Sequence, residues 1–216
     1  MQTQYKYCAF ICLFVLLVAH TCNAQTDIAG SIYGAFSTSP QGGGTSQTQS
    51  DAAGGLLEIQ HIFLPAMSFE VTYSYNRADQ SYIPTFSAVP ANVCLPGPGC
   101  AATSPLIPTS FPANAQEFTA DWIPSKTKGA LRPFGVLGGG VLMVVPSGGQ
   151  SYTYTVTEPV FVFGLGMDWA RWKRVGLRFQ YRGNLYSAPL LTTQYASTGS
   201  LMLTNEPMVG VYFRLP

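Results

Sequence analysis

Charge is scarce in this chain of 216 residues: Asp, Glu, Lys and Arg make up 10% of it, and the formal net charge is +1. Soluble domains usually carry about a quarter of their residues charged, so a large water-exposed surface is a poor fit. Near-zero net charge also removes the electrostatic case for a nucleic-acid partner. Histidine is almost missing, with His20 and His61 the two present. No Gly-x-Ser-x-Gly elbow occurs, which takes away the usual frame of a serine hydrolase. The run Gly138-Gly139-Gly140 lacks the following Lys-Ser/Thr pair of a phosphate-binding loop. Beyond the N-terminal segment no apolar stretch reaches the roughly 20 residues of a membrane-spanning helix.

The first 24 residues read as a processing segment. Lys6 precedes a short apolar run, and small and polar residues lead to Ala24. That pattern predicts a secretory signal peptide over 1–24, cut after Ala24, and one domain over 25–216. The apolar run is too short to serve comfortably as an anchor. Cleavage removes Cys8, Cys12 and Cys22 and leaves Cys94 and Cys100, separated by Leu-Pro-Gly-Pro-Gly. In an exported chain such a pair suits a local disulfide closing a small loop. With no histidine or further cysteine beside it, a metal site there is not expected, and nothing in the chain calls for a cofactor.

What the chain has in quantity is strict alternation. Over 159–169, Phe161, Phe163, Leu165, Met167 and Trp169 share one face, and Val160, Val162, Gly164, Gly166 and Asp168 share the other. Over 175–186, Val175, Leu177, Phe179, Tyr181 and Leu185 oppose Gly176, Arg178, Gln180, Arg182 and Asn184. Near the C-terminus Val209, Val211, Phe213 and Leu215 oppose Gly210, Tyr212 and Arg214. A period of two means strands. The distribution of chemistry between the faces is inverted relative to a soluble sheet. Large aromatics crowd one face, while glycine shares the other with arginine and acid, which suits a crowded polar interior and a lipid-facing outside.

Further strands are expected over 27–36, 56–63, 68–76, 116–123 and 131–145; the last is apolar throughout and has no readable parity. Its glycines are expected to make room for neighbouring aromatic rings. The total is eight strands. Short connections at 64–67, 124–130 and 170–174 alternate with long ones at 37–52, 77–115, 146–157 and 187–205. An even strand number with turns at one end and loops at the other predicts an all-β, eight-stranded antiparallel up-and-down transmembrane β-barrel. Trp122, Trp169 and Trp172 fall beside short turns, and Phe63 and Phe69 flank another. Rings with a polar edge favour the bilayer interface, so these five predict an aromatic girdle at the turn end.

With the aromatic faces outward, the interior receives Glu58, Glu70, Glu117, Asp121, Asp168, Arg178, Arg182 and Arg214, with Arg132 a further candidate. An eight-stranded barrel is only wide enough for its own side chains, so these groups are expected to pair and plug the lumen. The loops are the natural contact surface. The one over 77–115, with Tyr82, Phe86 and the cysteine pair, is the first choice for an extracellular ligand or surface. Two other functions are weighed: a small passive solute channel, and a lipid-modifying enzyme of the outer leaflet. His61 sits among outward residues at the turn end, the wrong end for outer-leaflet chemistry, so no residue is assigned as catalytic.

The hairpin from Gly54 through Pro65 and Phe69 to Arg77, the stretch Gln116-Glu-Phe-Thr-Ala-Asp-Trp122, Arg132-Pro-Phe-Gly135 and the closing Val209-Gly-Val-Tyr-Phe-Arg214 resemble the small eight-stranded outer-membrane barrels, the OmpA/OmpX-type and opacity-protein-like superfamily. The resemblance spans Ala29 to Leu215 and is to an architecture. It implies residence in the outer membrane among its lipids and insertion by the barrel-assembly machinery; the long loops and the lack of a catalytic set make the expected role a non-enzymatic structural or surface-interaction one. In that family the machinery usually reads a terminal aromatic; here Phe213 is followed by Arg214, Leu215 and Pro216.

Overall fold

The computed structural model describes residues 25–64, 66–85, 108–126, 129–148 and 152–215. The expected signal peptide, Phe86 and the Cys94/Cys100 pair lie outside the described residues. The strands are β1 (Gln25–Ser37), β2 (Gln41–Gly42), β3 (Thr45–Gln49), β4 (Ala52–Leu64), β5 (Met67–Pro84), β6 (Thr109–Pro124), β7 (Leu131–Pro146), β8 (Val156–Trp169), β9 (Val175–Ser187) and β10 (Leu201–Arg214). Setting β2 and β3 aside, each strand pairs antiparallel with the next along the chain, and β10 returns to β1. The result is the closed eight-stranded up-and-down barrel expected from the alternation.

Apolar residues face outward round the wall, and charge lies within. Ile32 is 70% exposed and Leu165 67%, whereas Arg182 and Glu58 are 0%. Leu57, Phe69, Val71, Phe118, Phe161, Phe179, Val211 and Phe213 complete an outward apolar surface drawn from β1, β4, β5, β6, β8, β9 and β10. Water would penalise so much contiguous apolar area, and hydrocarbon would not.

The strand β7 settles its own parity through burial. Phe134, Val136, Leu142 and Val144 face inward, while Leu131, Leu137 and Val141 face out. The interior is therefore not uniformly polar: Val160 and Val162 of β8 join these four in a buried apolar cluster. The glycine expectation needs correction at this strand. A Cβ on Gly138 would meet the Asp121 carboxylate and the Ala120 carbonyl, and one on Gly140 would meet the Phe118 carbonyl. Backbone and carboxylate, not aromatic rings, demand these glycines; rings make the demand at Gly166 (Phe134), Gly176 (Tyr212) and Gly183 (Phe163).

Several strands run well past the expected boundaries at the loop end. β5 has 18 residues, and β6 and β7 have 16 each, against the roughly 9–11 that cross a bilayer. The β5–β6 ladder continues to Tyr82↔Thr109. The expected loop over 37–52 contains β2 and β3 instead, with β3 pairing β5 from Thr45↔Pro84 to Gln49↔Gln80, beyond the end of the β4–β5 ladder. β10 starts at Leu201, inside the stretch read as loop.

A lid of chain crosses this end. Between β9 and β10 the backbone crosses toward β3 and β5: Gln47 Nε2 donates to the Pro189 carbonyl at 2.9 Å, as does the Tyr82 hydroxyl at 2.9 Å. The Leu191 amide donates to that same hydroxyl at 3.1 Å. Tyr82 stacks on Tyr195 and Phe111, with centroids 5.6 and 5.9 Å away. Tyr82, expected as a free contact residue, is instead fully buried under this lid. Tyr82→Phe leaves the Leu191 amide without its acceptor, a cost of about 1–3 kcal/mol. Hydrogen exchange at that amide should quicken by roughly ten- to a hundredfold; unchanged exchange would show that the hydroxyl does not hold the lid.

Candidate functional site

The inward side of β9 sets Arg178, Gln180, Arg182 and Asn184 in line down the barrel, because alternate residues of a strand share a face. Facing them are Glu58 and Gln60 of β4, Glu70 and Thr72 of β5, Glu117, Thr119 and Asp121 of β6, and Asp168 of β8. Two arginine-centred clusters result, stacked along the axis.

The first surrounds Arg178. Its Nη1 donates to Glu58 Oε2 and, at 2.7 Å, to Glu70 Oε2. Its Nε and Nη2 clasp Asp168 at 2.9 and 3.2 Å, and Nη2 also donates to Gln60 Oε1 at 2.7 Å. The guanidinium lies 4.9 Å from the centre of the Phe134 ring. Ser31 Oγ donates to the remaining Glu58 oxygen at 3.0 Å. One planar fork thus ties β4, β5 and β8 to β9 across the lumen, a task for which arginine's several fixed donors are suited.

The second cluster is looser. Arg182 reaches Glu117 and Asp121 at 3.4 Å each and the hydroxyl of Thr119 at 3.1 Å. Thr119 Oγ1 donates to Asp121 Oδ2 at 2.9 Å, and Asn184 Nδ2 donates to Glu117 Oε2 at 3.0 Å. These ion pairs are longer than the 2.7–2.9 Å common for charge-assisted bonds.

Of the eight charged residues expected inside, Glu58, Glu70 and Asp168 gather on Arg178, and Glu117 and Asp121 gather on Arg182. Arg214 stands apart at the turn end, where its Nε and Nη2 hold Asp27 at 3.2 and 3.0 Å. Arg132 stays at the rim, its Nε donating to the Gly129 carbonyl at 3.3 Å. Asp27 and Glu206 are both buried and were not foreseen. Asp27 is in phase with Ala29 and Ser31, so continuing the alternation backward from Ile28 finds it. Glu206 is in phase with Gly210 and Tyr212, but Pro207 and the polar run before it hide the strand.

The five aromatic residues expected as a girdle lie beside the short turns. Phe63 stacks on Phe69 at 5.2 Å, Phe69 sits opposite Trp122 in the β5–β6 ladder, and Trp169 and Trp172 are exposed. His61 is half-buried, its Nδ1 3.2 Å from the Thr26 hydroxyl. Among the described residues no group of three or more His, Cys, Asp or Glu side chains is placed to hold a metal ion.

No protein-family model and no curated protein sequence matches the chain. Solved structures do. Neisserial surface protein A is similar with a TM-score of 0.56 at 13% identity, over 89% of this chain and 99% of that one. The outer membrane protein OprG from Pseudomonas aeruginosa is similar with a TM-score of 0.53 at 11% identity, over 89% and 96%. At such identities the likeness is one of fold. With its closed eight-strand cylinder, lipid-compatible wall and charged interior, the chain has the architecture of the small outer-membrane β-barrels.

Proposed function

We propose that this protein is a closed, non-enzymatic barrel of the outer membrane that acts through the surface it presents beyond the bilayer. The observation that carries the reading is the filled lumen. Arg178 binds side chains of three other strands across the cylinder, and the apolar cluster of Phe134, Val136, Leu142, Val144, Val160 and Val162 fills the neighbouring space. The lid anchored by Tyr82 then covers the loop end. A solute would have to break these contacts in sequence.

The strands that rise past the bilayer give the loop end a rigid rampart, a better platform for contact than free loops because less freedom is lost on binding. One of the similar structures is, by its name, a surface protein, in keeping with such a role. The wall's partner is outer-membrane lipid, and insertion is assigned to the barrel-assembly machinery. His61 lies at the turn end beside the Thr26 hydroxyl, and this reading assigns it no chemistry.

Planar-bilayer recording tests the reading. The purified barrel should give no stepwise current at physiological salt, and steady unitary openings would replace this proposal with a solute channel.

A further inference from the structure

On the loop side of the Arg182 cluster lies a small chamber, about 20 Å³ of room for the centre of a water-sized particle. Asn76, Gln80, Asn184 and Glu206 line it, and all four are more than nine-tenths buried. Among the described residues, Asn76 Oδ1, Gln80 Oε1, Asn184 Oδ1 and Glu206 Oε2 have no hydrogen-bond partner. Two of the amides are oriented by their other ends. Asn184 Nδ2 is turned to the carboxylates of Glu117 and Glu206, and Asn76 Nδ2 to the Tyr33 hydroxyl at 3.2 Å. A carboxylate only accepts, so the Asn184 amide cannot be turned over.

The chamber thus gathers four acceptors. The hydroxyls of Tyr186 and Thr204, which also line it, already bond each other at 2.8 Å. A single water, with two protons, satisfies two of them, and a proton shared between Glu206 and an amide oxygen accounts for the other two. One cation satisfies all four. The surrounding charge points the same way: Asp27, Glu58, Glu70, Glu117, Asp121, Asp168 and Glu206 face inward against Arg178, Arg182 and Arg214. Among the described residues Glu206 has none of the arginine ion pairs that serve the other six, although the charge of Arg182 acts on it from farther off.

We infer that this chamber binds one monovalent alkali cation, held by the Glu206 carboxylate and the amide oxygens of Asn76, Gln80 and Asn184. All-oxygen donors select a hard cation. One carboxylate with an open oxygen among neutral amides balances a single positive charge, whereas calcium sites usually draw on several carboxylates. The bound ion links β5, β9 and β10 beside the Arg182 cluster.

Thallium(I) is a monovalent probe visible by anomalous diffraction. Crystals of the full barrel grown with thallium(I) as the monovalent cation should show a peak among these four oxygens. Glu206→Gln keeps the shape and removes the charge, and should weaken thallium binding at least about tenfold, the loss of one charge-assisted contact. The unmodified protein supplies a second reading: its unfolding midpoint should be higher in sodium or potassium chloride than in choline chloride of equal ionic strength. No peak in the chamber, a peak untouched by Glu206→Gln, or identical midpoints in the three salts would each overturn the assignment.

Discussion

Arg178→Ala should destabilise the barrel by about 3–5 kcal/mol, the usual cost of removing one partner from a buried ion-pair network. The size of the effect comes from what is left behind. Glu58 and Glu70 are buried and Asp168 nearly so, and all three would face one another with no guanidinium between them. Arg178→Lys retains the charge but not the fork, so the two-point hold on Asp168 and the bond to Gln60 cannot both survive. Its loss should fall between wild type and alanine. Urea unfolding of the barrel refolded into lipid vesicles, followed by tryptophan fluorescence, reads both variants. A wild-type midpoint for Arg178→Ala would mean that the lumen is held by something other than this residue.

Gly140→Val should be of similar severity for a different reason. The added Cβ meets the Phe118 carbonyl, with the Thr119 Cα at 2.7 Å and the Phe118 carbonyl carbon at 2.8 Å. These are backbone atoms of β6 at the point where Thr119 pairs with Gly140, so relief requires opening the β6–β7 ladder. Overpacking usually costs about 1–3 kcal/mol and more where the neighbour cannot move, so the variant should fold poorly or not at all. Gly30→Ala is the control. Its Cβ would find Leu57 Cδ2 at 3.9 Å and nothing closer, and the change should stay within about 0.5 kcal/mol. Heat-dependent gel migration compares the two at once: Gly30→Ala should shift as wild type does, and a normal shift for Gly140→Val would show that the strands can part there.

Much of this was legible in the sequence wherever the outer face of a strand touches hydrocarbon. Phe161 to Trp169 and Val175 to Leu185 must alternate sharply, since lipid accepts no charge and the lumen needs it, and the pattern exposed both the strands and most of the charged interior. Legibility stops where the bilayer stops. Above it both faces of a strand can be polar, so Thr45-Ser-Gln-Thr-Gln49 and the far part of β5 carry no contrast between faces, although Thr45, Gln47 and Gln49 are buried and alternate with half-buried neighbours. The same fading hid the start of β10 and with it Glu206. Within β7 the failure was of another kind. Its inward residues are apolar because they pack with Val160 and Val162, and Phe134 meets Arg178 with its ring face, so Phe134, Val136, Leu142 and Val144 resemble the outward set. Tyr82 misled for a related reason: an aromatic among polar residues reads as a contact, and only the fold brings Pro189 and Leu191 across to cover it.

The inverted faces are tested most directly by nitroxide labels at Ile32→Cys and Leu165→Cys, in a background whose other cysteines are serine, with the protein in lipid vesicles. The outward wall requires that both labels be reached by oxygen, which concentrates in lipid, and shielded from a water-soluble nickel chelate. A third label at Tyr154→Cys, on the exposed loop end, should show the reverse. Nickel access at Ile32→Cys and Leu165→Cys equal to that at Tyr154→Cys would contradict a barrel with its greasy face in the membrane.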